Sequence, residues 1–118
     1  MNKIDVLRKS LLAAAVLAML LCLAACPALK SIAEINRDPA RFMNKEVSVH
    51  GTVTESFGAL GTGVYRVDDG AGQLWVFSNG YGVPSKGAEI GVAGTIVPTV
   101  TFAGHSYATV MRETRRRR

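Results

Sequence analysis

Cysteine and aromatic residues are scarce in this chain of 118 residues, which has 2 Cys and 7% aromatic residues. Two cysteines cannot build a disulfide-rich scaffold or a zinc site with four thiolates. The length allows one small domain and excludes a multidomain enzyme. A hydrophobic fraction of 48% excludes a disordered chain, and the formal net charge of +5 raises nucleic acid as a partner.

Charge is absent from one long segment near the N-terminus. Lys3, Arg8 and Lys9 come first, and residues 10–29 then carry no charged side chain and are rich in Leu and Ala. A basic segment followed by an apolar one is typical of a secretory signal. An uncleaved transmembrane helix is the alternative, since this run is long enough to span a bilayer. Pro27 disfavours that alternative, because the residue before a proline avoids helical geometry.

The apolar segment ends in a short motif, Leu23-Ala24-Ala25-Cys26. It closely resembles the bacterial lipoprotein signal, whose lipobox is a leucine, two small residues and a cysteine. The resemblance implies that residues 1–25 are removed and that Cys26 receives a lipid, which anchors the exported chain to the cell membrane or outer membrane. Cys22 would leave with the signal, so the mature chain would keep no free thiol. Residues 26–30 would form a lipidated tether.

The mature part begins with a short helix. Ser31 and Glu34 fit a capping box, and the packing residues of the helix would be Ile32, Ile35 and Phe42. From Glu46 onward, polar and apolar residues alternate with a period of two, which predicts strands. The predicted strands are residues 46–55, 64–68, 73–78, 89–97 and 105–113.

Glycines interrupt the first and fourth predicted strands. Gly51 and Gly94 predict the bulges or bends that a small barrel needs to close. We therefore expect an all-β fold: a small five-stranded Greek-key barrel with a short N-terminal helix, preceded by the lipoprotein signal peptide. The barrel domain would span residues 31–113, and residues 114–118 would form a basic tail.

Three segments of the mature chain sharpen this expectation. Residues 35–53, 65–76 and 84–96 resemble, in their order and spacing, OB-fold domains of the tRNA-anticodon-binding-like type. The resemblance covers about residues 30–113 and implies a barrel of the OB type. The segment 79–88 departs from it, because it is too short and glycine-rich for the helix that many OB-folds have there. The N-terminal helix would then plug the barrel.

Residues that could support catalysis are few. The chain has no nucleophile elbow, no His-x-x-x-His and no pair of neighbouring cysteines. Asp68-Asp69-Gly70 is more typical of a turn than of an acid/base pair. His50 and His105 are expected to be surface residues. We expect neither an enzyme nor a metal or cofactor.

Binding is the more promising function. The OB-fold resemblance implies that a ligand meets the face of the second and third strands and the loops 55–63 and 98–104. An exposed Trp75 beside Arg66 would form a stacking platform for bases or sugars; the alternative is that the helix or the segment 79–88 covers it. The candidate ligand-binding residues are Arg66, Trp75, Phe77, Phe57, Leu60 and Phe102.

The distribution of charge decides among partners. Residues 26–114 hold seven Lys or Arg against eight Asp or Glu, so the domain itself is nearly neutral. Four terminal arginines, Arg115, Arg116, Arg117 and Arg118, should stay solvated and mobile, either as a solubilising tail or as a contact for anionic lipid headgroups. Nucleic acid is therefore disfavoured as a partner, the more so because the signal exports the chain.

These observations favour a membrane-tethered, non-catalytic OB-fold module of the bacterial cell envelope. Its partner would be an envelope protein or glycan. The alternative is binding of single-stranded nucleic acid or an oligosaccharide on the face of the second and third strands. The sequence leaves the oligomeric state open.

Overall fold

The computed structural model describes residues 3–25 and 28–117. Strands make up most of the chain after the first helix, as the alternating pattern predicts. In chain order the elements are α1 (Lys3–Ala25), β1 (Ala28–Leu29), α2 (Ile32–Arg37), α3 (Pro39–Phe42), β2 (Glu46–Ala59), β3 (Thr62–Asp68), β4 (Gln73–Asn79), β5 (Glu89–Phe102) and β6 (His105–Arg117).

The helix α1 covers most of the segment predicted as a signal. Its side chains from residue 3 to residue 14 are all exposed. Among the described residues, no helix is both long and apolar enough to cross a bilayer. Cys26, the predicted site of lipidation, lies outside the described residues, and so does Arg118.

The strands form one six-stranded sheet in the order β1-β2-β3-β4-β6-β5. β1 and β2 are parallel, as are β4 and β6, and the other neighbouring strands are antiparallel. Residues 46–52 of β2 also pair with residues 89–95 of β5, so the series of pairings returns to β2. All five predicted strands are present, with the two-residue β1 added at the start.

The inward faces of the strands and α2 share one apolar core. The predicted packing residues Ile32, Ile35 and Phe42 all belong to it, which confirms that the short helices cover the interior of the sheet. The predicted capping box is wrong, because the Ser31 side chain makes no capping hydrogen bond. The Ile32 amide instead donates to Oδ2 of Asp69 at 2.8 Å, since α2 packs against the β3–β4 turn.

Two glycines allow close approaches between strands. A Cβ on Gly51 would lie 2.3 Å from the Asp68 carbonyl oxygen, and a Cβ on Gly94 would lie 2.2 Å from the Arg112 carbonyl oxygen. The β5–β6 register shifts between Ala93 and Gly94, but the extra residue is Thr114 of β6, so the bulge lies on the strand opposite Gly94 and not in the strand where it was predicted. β2 shifts register against β3 slightly later, between Val53 and Glu55.

The two loops predicted to carry the binding tips are strand instead. β2–β3 and β5–β6 continue as long hairpins to turns of two residues each, at Leu60-Gly61 and Ala103-Gly104. All four turn residues have positive φ, between 52° and 82°, the geometry of a type I′ turn. The prediction of loops at residues 55–63 and 98–104 is therefore wrong. The glycines of these segments form tight turns and allow close strand pairing rather than irregular loops.

The structure also extends the domain beyond both of its predicted boundaries, residues 31 and 113. Residues 115–117 pair with residues 91–93 of β5, so they extend β6 instead of forming a mobile tail. The ladder bonds and the nearby Glu46 and Glu113 offset the repulsion among the arginines. The tether predicted over 26–30 is also shorter, because Ala28 and Leu29 pair with β2 and the Lys30 amide donates to the Ser48 carbonyl at 2.8 Å.

Candidate functional site

A stacking face lies on the outer side of the sheet, formed by Phe57 of β2, Arg66 of β3, Trp75 of β4 and Tyr107 of β6. Arg66 and Trp75 are directly opposed in the β3–β4 ladder. The Trp75 ring centroid is 4.7 Å from that of Tyr107 and 6.4 Å from that of Phe57. The Phe57 and Trp75 rings are stacked, with 28° between their planes, and the Tyr107 ring is tilted by 53° against Trp75, so three strands contribute to one aromatic cluster.

Arg66 is fixed in place by polar partners on β2. Its Nη2 donates to Oε1 of Glu55 at 2.9 Å, and its Nε donates to Oγ1 of Thr54 at 3.1 Å. Its guanidinium carbon lies 5.5 Å from the Trp75 ring centroid, within the range of a cation–π contact. The charge of Arg66 is consequently paired, while its planar group continues the row of rings.

The stacking face is partly exposed. Trp75 is therefore neither fully open to solvent nor covered by the helix or the segment 79–88, the two alternatives that the sequence left. Trp75 is half-buried and Phe57 is 52% exposed. Val64 and Val110 are fully buried and are cross-strand neighbours of Phe57 and Trp75 respectively. α2 and Val83 of the segment 79–88 pack against the interior core, so the rings that flank Trp75 come from the hairpins.

The remaining predicted binding residues are distributed around this face. Phe77 is half-buried, two residues along β4 from Trp75 and opposite Arg112 of β6. Leu60 is completely exposed at the tip of the β2–β3 hairpin. Phe102 lies opposite His105 at the tip of the other hairpin, and in the part of the chain that the structure describes no ring contact joins Phe102 to Trp75. Tyr107, which was not among the predicted binding residues, lies beside Trp75 in the position expected for Phe102.

A buried polar cluster lies on the opposite, inward side of β6. Glu113 is 6% exposed, and its carboxylate accepts hydrogen bonds from the Tyr65 hydroxyl and, at 3.0 Å, from the Ser78 hydroxyl. Nε of Arg116 is 3.6 Å from the same carboxylate. Burial, together with the hydrogen bond and charge of Glu113, raises the pKa of Tyr65 well above its usual range. Tyr65 therefore stays a neutral donor.

Arg116 connects this cluster to the surface. Its Nη2 donates to the Tyr81 carbonyl at 2.9 Å, and its guanidinium carbon lies 5.7 Å from the Tyr65 ring centroid. Its Nη1 is buried and has no hydrogen-bond partner among the described residues. This role of Arg116 could not be read from the sequence, because the extra residue Thr114 of the β6 bulge decides which arginine turns inward.

An arginine groove opens beside Arg116, with a volume of about 730 Å³. It is lined by Arg115, Arg116 and Arg117 together with Ser48, Tyr81, Gly91, Val92, Ala93, Glu113 and Thr114. Arg115 reaches Glu46 at 3.6 Å with both side chains largely exposed, so this ion pair is weak. Three of the four arginines predicted to contact an anionic surface thus share one concave site.

A second groove, of about 510 Å³, gathers His50, Asp68, Asp69 and Glu89. The Asp side chains serve the β3–β4 turn, because the Gly70 amide donates to Asp68 and the Ala71 and Gly72 amides donate to Asp69. His105 lies at the other end of the sheet, as the first residue of β6 after the hairpin turn. No cluster of His, Cys, Asp and Glu among the described residues could hold a metal ion.

Comparison with known proteins gives a fold and no family. No family model matches the chain, and no curated protein matches it. Among solved structures, the chain is similar to OBody AM3L09 bound to hen egg-white lysozyme, with a TM-score of 0.50 and 15% identity. The match covers 64% of this chain and 82% of that chain. At this identity the likeness concerns the fold alone.

Proposed function

We propose that this chain is a membrane-tethered, non-catalytic binding module of the bacterial cell envelope, and that it binds its ligand on the stacking face. The observation that carries the proposal is the row of Phe57, Trp75 and Tyr107 rings with Arg66 beside them. A partly exposed aromatic surface on rigid strands suits a ligand with a flat face, such as a base or the C–H face of a sugar, because the rings lose little side-chain freedom when it stacks on them.

The domain is proposed to be an OB-type barrel. The pairing of β2 with both β3 and β5 supports this architecture, since it links the first and last long strands of the sheet. The likeness in fold to an OBody supports it as well. In such barrels the ligand meets the sheet face on which Arg66 and Trp75 lie.

Membrane tethering rests on the lipobox-like residues 23–26, with Cys26 as the lipidated residue. α1 supports it, because the helix covers the apolar run that a signal requires. The anchor would hold the domain at the surface of the cell membrane or outer membrane. The envelope components that reach it there are glycans and other envelope proteins.

The pairing of Arg66 favours a neutral ligand over a nucleic acid. Glu55 lies 2.9 Å from its guanidinium, so a phosphate near Arg66 would also meet a carboxylate. A sugar ring needs an apolar stacking surface and hydrogen-bond partners, which the rings of Trp75 and Tyr107 and their polar N–H and O–H groups offer. An envelope glycan is therefore the preferred ligand, and a single-stranded nucleic acid, whose bases would stack on the same rings, is the second candidate.

Trp75 reports directly on the site, because it is the single tryptophan of the chain. We expect neutral oligomers of N-acetylglucosamine, used as a model envelope glycan, to change its fluorescence in a saturable titration. Tyr107→Ala should weaken this binding about tenfold, the factor that corresponds to about 1.4 kcal/mol of lost stacking. Tyr81→Ala is the matched control, since Tyr81 is 62% exposed and lies away from the stacking face.

The same titration with oligothymidylate separates the two ligands. Saturable binding of oligothymidylate that weakens steeply with salt, without a response to the glycan, would favour the nucleic-acid alternative. Equal affinities of the Tyr107→Ala and Tyr81→Ala variants would show that the ligand binds elsewhere.

A further inference from the structure

We infer that the arginine groove binds the anionic headgroups of the bilayer that holds the anchor, and so fixes how the domain sits on the membrane. This inference rests on the proposed lipid at Cys26. It assigns Arg115 and Arg117 as the headgroup contacts and Arg116 as the residue that shapes the floor of the groove.

The position of β1 brings the anchor close to the groove. One residue separates Cys26 from Ala28, and consecutive Cα atoms are about 3.8 Å apart, so the lipid is attached within about 8 Å of β1. Leu29 pairs with Ser48, Ser48 pairs with Ala93, and Ala93 pairs with Arg115. These four residues form one row across four neighbouring strands.

The length of this row sets the distance from the anchor to the arginines. Neighbouring strands lie about 4.8 Å apart, so Leu29 and Arg115 are separated by about 14 Å. Ser48 and Ala93, in the middle of the row, line the groove itself. A lipid on Cys26 would therefore place the mouth of the groove beside the headgroups.

The charges of the groove suit a phosphate. Arg115 and Arg117 are exposed and, two residues apart on one strand, lie on the same side of it. Among the described residues, Arg117 has no ion-pair partner, and Arg115 has only the exposed Glu46. Guanidinium groups match the oxygens of a phosphate with two parallel hydrogen bonds.

Arg116 differs from its two neighbours because Glu113 already balances its charge. Its buried Nη1 has no partner among the described residues, and a donor of this kind gains from an acceptor brought into the groove. Thr114 lines the same site, but its hydroxyl already donates to the Ala93 carbonyl at 3.1 Å.

The test uses the protein purified from bacteria with the modifications that they add. It measures how fast phenylglyoxal modifies each arginine. The protein is reconstituted into vesicles of phosphatidylcholine alone or with one quarter phosphatidylglycerol, and peptide mass spectrometry follows each site. We expect phosphatidylglycerol to slow the modification of Arg115 and Arg117 by about fivefold. Arg112 is the control, because it is exposed on the same strand and does not line the groove.

Each other result contradicts some part of the inference. Equal rates on both vesicles, or an equal slowing at Arg112, would overturn the groove as a headgroup site. Protection by free glycerol phosphate on phosphatidylcholine vesicles, without an effect of phosphatidylglycerol, would assign the groove to a soluble phosphate instead.

The N-terminal peptide in the same spectra separates this inference from the proposed anchor. An unmodified Cys26 together with protected Arg115 and Arg117 would refute the anchor and support the groove. A lipidated Cys26 without protection would support the anchor and refute the groove.

Discussion

At the scale of single residues, Asp69 joins α2 to the β3–β4 turn. Its carboxylate accepts hydrogen bonds from the amides of Ile32, Ala71 and Gly72 at 2.8–2.9 Å. Burial acts to raise the pKa of Asp69, but these donors outweigh it and hold the pKa below its usual value. A lowered pKa means that the charged form is favoured by folding.

We therefore expect Asp69→Ala to lower the free energy of unfolding by about 1–2 kcal/mol at neutral pH. The contribution of Asp69 is complete above its unfolded pKa of about 3.9 and is lost as the pH falls through the lower folded pKa. The deficit of the variant should thus shrink in acid, as measured by urea unfolding from pH 7 to pH 2. Glu89→Ala, which removes an exposed carboxylate, should show no such deficit; a deficit that is constant with pH would contradict the ionic role.

Glu113 is the second residue on which stability should depend. Glu113→Gln keeps the shape of the side chain but leaves Arg116 without its counter-charge, 3.6 Å away. We expect a loss of about 3 kcal/mol in the free energy of unfolding, because removing one member of a buried pair leaves the other uncompensated. Glu113→Gln combined with Arg116→Gln should lose less than the sum of the two single variants; additive losses in this double-mutant cycle would show that the pair is uncoupled.

At the scale of elements, the two hairpins end in turns that their sequences fit poorly. Leu60 and Ala103 adopt φ of 55° and 52°, a region that costs an L-residue about 1–2 kcal/mol, whereas asparagine tolerates it. Leu60 buries nothing, so its replacement loses no packing. We expect Leu60→Asn to raise the free energy of unfolding by about 0.5–1 kcal/mol.

Thermal and urea unfolding measure this gain. The matched control is Ala59→Asn, one position earlier, where the backbone is ordinary strand and asparagine brings no relief. A gain of the same size in both variants would mean that surface polarity, rather than turn geometry, stabilises the hairpin.

These turns also explain where the sequence was an incomplete guide. Alternation located all five long strands and the core residues, because burial of one face imposes a period of two. The alternation pattern ended β2 and β5 too early, at residues 55 and 97 instead of 59 and 102. Neither Leu60-Gly61 nor Ala103-Gly104 indicates a type I′ turn as clearly as Asn-Gly does. Glycine was taken as a sign of a loop, although here it closes the tip of a hairpin.

The same limit applies to the candidate site. Arg66 and Trp75 could be expected to be neighbours from the sequence, because Asp69-Gly70-Ala71-Gly72 indicates a short hairpin that joins their strands. Tyr107 could not, because strict alternation back from the core residue Met111 would turn it inward. The positive φ of Thr109, a rare conformation for a β-branched residue, interrupts that alternation. The distorted backbone at Thr109 thus decides the orientation of Tyr107, and the bulge at Thr114 decides that of Arg116.

At the scale of the whole molecule, the sheet carries two surfaces of different character. The stacking face lies on β2, β3, β4 and β6 and has a paired charge, whereas the arginine groove lies where β5 and the end of β6 meet β2. The proposed anchor adjoins the groove through β1. The molecule would then use one surface to meet the membrane and leave the other for a ligand.

This arrangement depends on Cys26, and the chain offers a matched control in Cys22. Cys26→Ala should leave the protein without lipid and with its first 25 residues uncleaved, because the lipoprotein peptidase that the resemblance implies acts only at a lipidated cysteine. Cys22→Ala removes the same thiol four residues earlier and should change neither lipidation nor cleavage. Intact-mass measurement of the membrane-extracted protein distinguishes these forms, since several acyl chains add far more mass than either substitution removes. Masses that show no lipid on the wild type or on either variant would refute the anchor, and with it the orientation that places the arginine groove against the headgroups.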